Sequence, residues 1–294
     1  MPTCGVKMGF INKLVVMINT ECEIPTALGT FHIVFLLLVI CACVLLVAFF
    51  KESSDRVYRI IVGSAFLLML VMEIFKQIIA PMSVVDGELV YRYAWSDFPF
   101  QLCSTPLYVF PLLVFLSDGR LRDVAAAYTM TFSLIGGIAV YLVPKTVFSV
   151  RLALNIQTMV HHGLQIVIGI YTAARYRARI NRRFFLDGVG LFAGFYAIAN
   201  LLNTVGYDFF VARGWMTEGD SFNMFYVSPR ADQTIPVLDG FLGSLPPVLY
   251  ICGYFIVTAI GALILMLLAH YIGKLYDYLA ARRLNSCNLK ETGC

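Results

Sequence analysis

Two adjacent histidines, His161 and His162, interrupt an otherwise apolar stretch from Leu152 to Tyr171 that is long enough to cross a bilayer. Ionisable side chains at membrane depth cost roughly 2.5–3.5 kcal/mol each on insertion scales, so they face a protein interior or a wet cavity and mark a polar site. A neutral imidazole suits general-base work near pH 7. Cys103 supplies a thiol, which becomes a nucleophile when a neighbouring histidine takes its proton. Glu73 and Lys76, three residues apart on one helix face, are within pairing distance, either as a neutralised pair holding helices together or as a pair that orients a headgroup or tunes a histidine. Gln101, Ser104, Asn200, Asn203 and Asn223 complete the candidate polar set.

Hydrophobic segments must position these groups. The chain is 60% hydrophobic and only 14% charged, with a mean hydropathy of +0.79, against about 25% charged residues in an ordinary soluble domain. It is therefore expected to be an all-α integral membrane protein. A span needs about 20 apolar residues, and seven windows qualify: 30–50, 60–79, 98–116, 124–143, 152–171, 184–205 and 248–269. These make one bundle over residues 30–272, preceded by an interfacial segment over 1–29 and followed by a tail over 273–294. Of the 22 Lys and Arg residues, fourteen fall on the side that an external N-terminus leaves cytoplasmic, seven on the other, and Lys76 within a span. Cytoplasmic loops are the ones rich in Lys and Arg, so the chain is expected in the cell membrane with its N-terminus outside and its C-terminus inside. The run Arg175, Arg177, Arg179, Arg182 and Arg183 then reads as a stop signal that also attracts anionic headgroups, and no nucleic-acid partner is expected.

The apolar run near the N-terminus is too short for a signal peptide, and an interfacial helix over 10–19 is expected instead. The eight cysteines show no metal-ligand spacing. Cys41, Cys43 and Cys252 read as small buried hydrophobes, and Cys4 with Cys22 as a candidate disulfide. No metal or organic cofactor is indicated. Pro99, Pro106 and Pro111 bend the third span, which should line a cavity. Gly190 and Gly194 form a G-x-x-x-G, a pattern of close helix packing. Residues 206–247 are long for a loop and rich in aromatics, so an ordered outer cap that dips toward the bundle is expected.

At 1.5 Å rise per residue, Cys103 lies roughly 8 Å below the outer end of its window and the histidines roughly 14 Å below theirs. Glu73, Lys76, Asn200 and Asn203 fall in the same leaflet, which suggests one pocket open toward the outer side. Asn155, Thr158, His162 and Gln165 share one helix face, while Gln157, His161 and Gln165 form an adjacent row.

The segment from Phe98 to Ser104, reading F-P-F-Q-L-C-S, resembles the L-P-L-H-L-C signature of the YwaF-like bacterial integral membrane proteins. His162-Gly163-Leu164 resembles that family's H-G-L, and the segment from Asn223 to Val227 its N-Y-M-(F/Y)-L. Gln101 stands where that family has a histidine, and Phe100 where the N-P-C-H motif of its eukaryotic relatives, the transmembrane-protein-164 group, has a cysteine. Those relatives are regarded as phospholipid acyltransferases using cysteine and histidine. A more distant likeness in architecture is to the androgen-induced membrane hydrolases of fatty-acid esters.

The resemblance implies acyl-ester transfer or hydrolysis on membrane lipids, in a pocket within the bilayer. In that reading Cys103 is the nucleophile and His162 the general base, with Gln101 and Asn223 donating to an ester oxygen. Glu73 and Lys76 orient the substrate, and His161 is the better candidate for a structural hydrogen bond. Thiol and imidazole are then expected within about 3–6 Å, allowing for loose unliganded geometry. The alternative is a transporter or lipid-binding protein without catalysis.

Overall fold

The structure is a computed structural model that describes residues 9–231 and 235–291. Along the chain run α1 (Phe10–Ile18), α2 (Thr30–Phe50), α3 (Asp55–Ile79), a hairpin of β1 (Met82–Val85) and β2 (Glu88–Tyr91), α4 (Leu102–Phe115), α5 (Arg120–Leu142), α6 (Leu152–Tyr176), α7 (Arg182–Ala212), α8 (Pro236–Leu242) and α9 (Pro247–Glu291). The hairpin pairs Met82 with Tyr91 and Val85 with Glu88. Its turn, Asp86-Gly87, has both residues left-handed (φ 52° and 85°), as a tight two-residue hairpin requires. Cys4, named with Cys22 as a candidate disulfide, lies outside the described residues.

The protein is an all-α polytopic membrane protein. Five helices are long and apolar enough to cross a membrane: α2, α3, α5, α7 and residues 247–279 of α9. The other two expected windows are also helical, and each departs from an ordinary span for a visible reason. α4 begins at Leu102, not Phe98, and is roughly 21 Å long at 1.5 Å per residue, against a hydrocarbon core of about 30 Å. It is too short to cross that core alone, and an irregular segment carrying Pro99 leads into it.

α6 is long enough to span but carries Asn155, Gln157, His161, His162 and Gln165, all buried. It tolerates them because α2, α3, α5 and α9 pack around it, whereas α2 presents Val34, Leu37 and Leu38 outward. The polar helix is inside and the apolar one faces lipid, so burial of polar groups is met by protein partners rather than hydrocarbon.

Close approach of α5 to α6 depends on glycine. A Cβ built on Gly137 would sit 2.8 Å from the His162 carbonyl oxygen, and one on Gly163 2.9 Å from the Tyr141 hydroxyl. Gly190 and Gly194, which the sequence pattern assigned to close packing, meet nothing within 4 Å. A spacing of four puts two glycines on one helix face, but does not say whether that face meets another helix.

One end of the bundle is closed by arginines. Asp55, at the start of α3, lies 2.6 Å from Arg122 Nη2, 2.7 Å from Arg59 Nε and 3.7 Å from Arg175 Nη2, and the buried Arg122 also donates Nε–H to the Leu113 carbonyl at 3.1 Å. Arg179 bridges Asp118 and Asp123, each at 2.7 Å. The guanidinium of Arg179 holds the Asp118 carboxyl below its ordinary value.

Asp55→Ala should leave Arg122 buried without its counter-charge. A fully buried pair loses about 3–5 kcal/mol on such truncation, and because water reaches Asp55 the expected loss is nearer 2 kcal/mol, read from unfolding of the solubilised protein. Asp118 gives a pH prediction. Its folded value lies below the unfolded value of about 3.9, so its pairing is complete above that pH and fades as pH falls through the folded value. Thermal stability of Asp118→Asn should therefore decline less steeply below pH about 4 than that of the parent.

Candidate functional site

The site begins with a backbone defect. In the turn that opens α4, Ser104 N–H donates to the Gln101 carbonyl at 2.9 Å and Thr105 N–H to the Leu102 carbonyl at 3.3 Å. The next bond in this series would join residue 106 to the Cys103 carbonyl, but Pro106 has no N–H. Two side chains of α6 take its place: His161 Nε2 at 3.0 Å and Gln165 Nε2 at 2.7 Å from the Cys103 oxygen. Cys103 is thus fixed at the start of α4, with its own backbone N–H and the Ser104 hydroxyl against the sulfur.

These contacts settle the histidine tautomers. A carbonyl oxygen can only accept, so His161 carries its proton on Nε2 and leaves Nδ1 as a bare lone pair. His162 places Nδ1 2.7 Å from the Thr158 carbonyl, so its Nδ1 is the donor and its Nε2 is bare. Among the described residues neither bare nitrogen has a partner, and the same holds for Gln165 Oε1 and Glu73 Oε2. All four residues are nearly inaccessible, at 3%, 8%, 0% and 5% exposure respectively. Buried polar atoms are normally paired, so this set of acceptors on α3 and α6 is the chemical signature of the site.

Glu73 and Lys76 pair as their spacing implies, at 3.1 Å, and both act through space on Cys103 and His162. Gln77 orients the carboxylate by donating 2.7 Å to Glu73 Oε1 and 2.6 Å to the Asp97 carbonyl. Tyr93 donates its hydroxyl to Gln77 Oε1 at 2.7 Å. Burial pushes the Asp97 carboxyl above its ordinary value, with Lys76 opposing and Glu73 adding to the rise.

The segment around Met224 dips into the bundle. Gln101 donates Nε2 to the Asn223 carbonyl at 2.9 Å and accepts Phe225 N–H at 2.8 Å, while Asn203 brackets Met224 in the same two-way manner at 2.8 and 2.7 Å. Phe225 and Tyr226 are both left-handed (φ 57° and 58°), a conformation that costs a non-glycine residue roughly 1–2 kcal/mol. The Phe225 ring reaches Phe192 and Phe100, at 6.2 and 6.1 Å between centroids. Phe192 lies roughly 15 Å along α7 from its basic end, so this segment reaches well into the helix bundle. Tyr226 and Tyr128 lie near Cys103.

The expected site residues have further partners in the structure. Gln101 uses its Oε1 and one Nε2–H on the loop backbone, so it also clamps the descending segment. Asn223 accepts Ser228 N–H on its Oδ1 at 2.7 Å. Asn200 bonds back to the Tyr196 carbonyl of its own helix at 2.8 Å. The histidine held against Cys103 is His161, whereas His162 bonds within α6. Ser104 is buried beside the thiol.

Gln165 and Asn203 emerge as site-building residues that sequence reasoning noted only as polar neighbours. Three single-turn π-bulges frame the region: Phe75–Ile79 in α3, Thr129–Ser133 in α5 and Leu202–Gly206 in α7. Such bulges recur at functional sites. Among the described residues no cluster of His, Cys, Asp or Glu could hold a metal ion. A separate open cavity of about 480 Å³, lined by Tyr207, Asp208, Glu218 and Arg230, includes none of the acceptors described above.

The TMEM164 family model matches residues 27–273. The chain belongs to the TMEM164 family. No curated protein and no solved structure matches it. Every residue of the site, from Glu73 to Asn223, lies inside the stretch matched by the TMEM164 family, while α1 lies outside it.

Gln101→Leu should strand the Asn223 carbonyl and the Phe225 N–H, at about 1–3 kcal/mol for each unpaired group, and should make the chain near Phe225 cleavable by a protease in detergent while α6 stays intact. Gly137→Ala should force α5 from α6 and lower the melting temperature more than Gly190→Ala, whose new methyl meets open space. Equal shifts for the two glycine variants would contradict the packing described here.

Proposed function

We propose that this TMEM164-family protein transfers or hydrolyses acyl esters of membrane lipids, with Cys103 as nucleophile and His161 as general base. The observation that carries the reading is the double hydrogen bond from His161 and Gln165 to the Cys103 carbonyl, which fixes Cys103 against the histidine-bearing helix α6. In the first step the thiol proton passes to His161 as sulfur adds to the ester carbonyl, and the departing alkoxide takes that proton, leaving an acyl thioester. An alcohol or water then repeats the sequence in reverse on the thioester. His162, whose ring centroid is 5.4 Å from that of His161, adds a second bare nitrogen, and Glu73 with Lys76 orients the substrate. Placement of the site in the outer leaflet, with the N-terminus outside, rests on the fourteen-to-seven division of basic residues.

Purified protein in liposomes containing labelled phospholipid should move or release the acyl label, and intact mass should show an acyl adduct that Cys103→Ala lacks. General-base loss is worth about 10²–10⁴ in rate, so His161→Ala should fall by that factor while His162→Ala retains measurable turnover. Uptake of lipid without covalent change would replace this reading with a carrier. Full activity in His161→Ala with none in His162→Ala would restore the base to His162.

A further inference from the structure

We infer that α1 is a lipid-surface helix that lies flat in the headgroup layer of the leaflet at the hairpin end and inserts one apolar face into zwitterionic lipid. The inference is independent of the acyl chemistry, and α1 lies outside the family match. Two asparagines bind one side of the helix to the hairpin: Asn12 Nδ2 donates to the Gly87 carbonyl and Asn19 Nδ2 to the Met82 carbonyl, each at 2.8 Å. Val15, next to them on the same side of the helix, is buried. The opposite arc holds Phe10, Leu14 and Met17 by i, i+4, i+7 spacing, with Ile11 at its edge. Phe10 is 81% exposed and Met17 65%, and no protein covers this arc among the described residues.

Three observations identify lipid as the cover. The apolar arc continues through exposed Ile24 and Leu28 into the outward face of α2, which is already the bilayer-facing surface. Both tryptophans lie at this end, Trp95 and Trp215 stacking on either side of Phe210 at 5.3 and 6.1 Å, as expected of an interfacial aromatic belt. Charged groups of both signs surround α1: Glu21, Glu23, Asp86 and Glu88 stand with Lys13, Arg92 and Arg151, the last joined to Glu21 by a backbone β-bridge. With no basic excess to draw anionic lipid, apolar insertion into neutral headgroups, not charge attraction, is the binding mode.

The full-length protein carrying Phe10→Cys, Lys13→Cys, Leu14→Cys or Met17→Cys singly, in phosphatidylcholine liposomes, is treated with a membrane-impermeant maleimide, and each site is read by peptide mass spectrometry. Comparison along one helix cancels the orientation of insertion. Position 13 should react at least about tenfold faster than positions 10, 14 and 17, as insertion of one face demands, with the same ratio when phosphatidylserine is added. Equal rates at all four positions would overturn the inference. A ratio that appears only with phosphatidylserine would show charge-driven docking, and one that vanishes on diluting protein in lipid would assign the face to a second copy; both outcomes also reject it.

Discussion

A backbone carbonyl inside a bilayer must find a donor within the protein, because hydrocarbon offers none and an unpaired group costs several kcal/mol. The rest of the site depends on how that constraint is met at Cys103. Pro106 withholds the local donor, and α6 supplies two from its side chains. This single substitution of side chain for backbone sets the position of α4 against α6 and orients His161. It also fixes which nitrogens of the paired histidines remain bare.

The same solution recurs nearby. Gln101 and Asn203 each treat the descending segment around Met224 as though it were a neighbouring strand, pairing with its carbonyl and N–H groups in both directions. Irregular backbone at membrane depth is tolerated only where protein surrounds it, and the amides with the aromatic cluster around Phe192 provide those surroundings. They also compensate the left-handed conformations of Phe225 and Tyr226. The polar residues that look catalytic in a list therefore divide into two kinds: amides spent on holding backbone, and acceptors left without partners on α3 and α6.

The two ends of the bundle follow different electrostatics. At the end holding Asp55, arginines and carboxylates cross-link α3, α5 and α6, so much of the basic excess that sets the expected topology also closes the structure. At the hairpin end, tyrosine and tryptophan dominate, and Gln77 connects the hairpin's Tyr91 and Tyr93 to Glu73. Ion pairs suit the end that faces water and a charged surface; amphipathic rings suit a boundary between headgroups and chains.

By itself the sequence determined the membrane class, the helical windows, the Glu73–Lys76 pair and the presence of a polar site on one span. Length, hydropathy and helical spacing are local properties, and each of these features is local. Tertiary structure alone decided that α6 is the inner helix, that Gly137 and Gly163 rather than Gly190 and Gly194 make the close contact, and that His161 rather than His162 bonds the Cys103 carbonyl. It also gave Gln101 a clamp on the descending segment. Each of those outcomes depends on which helix faces meet and on where π-bulges shift the register, and a one-dimensional pattern specifies a face without specifying what lies opposite it.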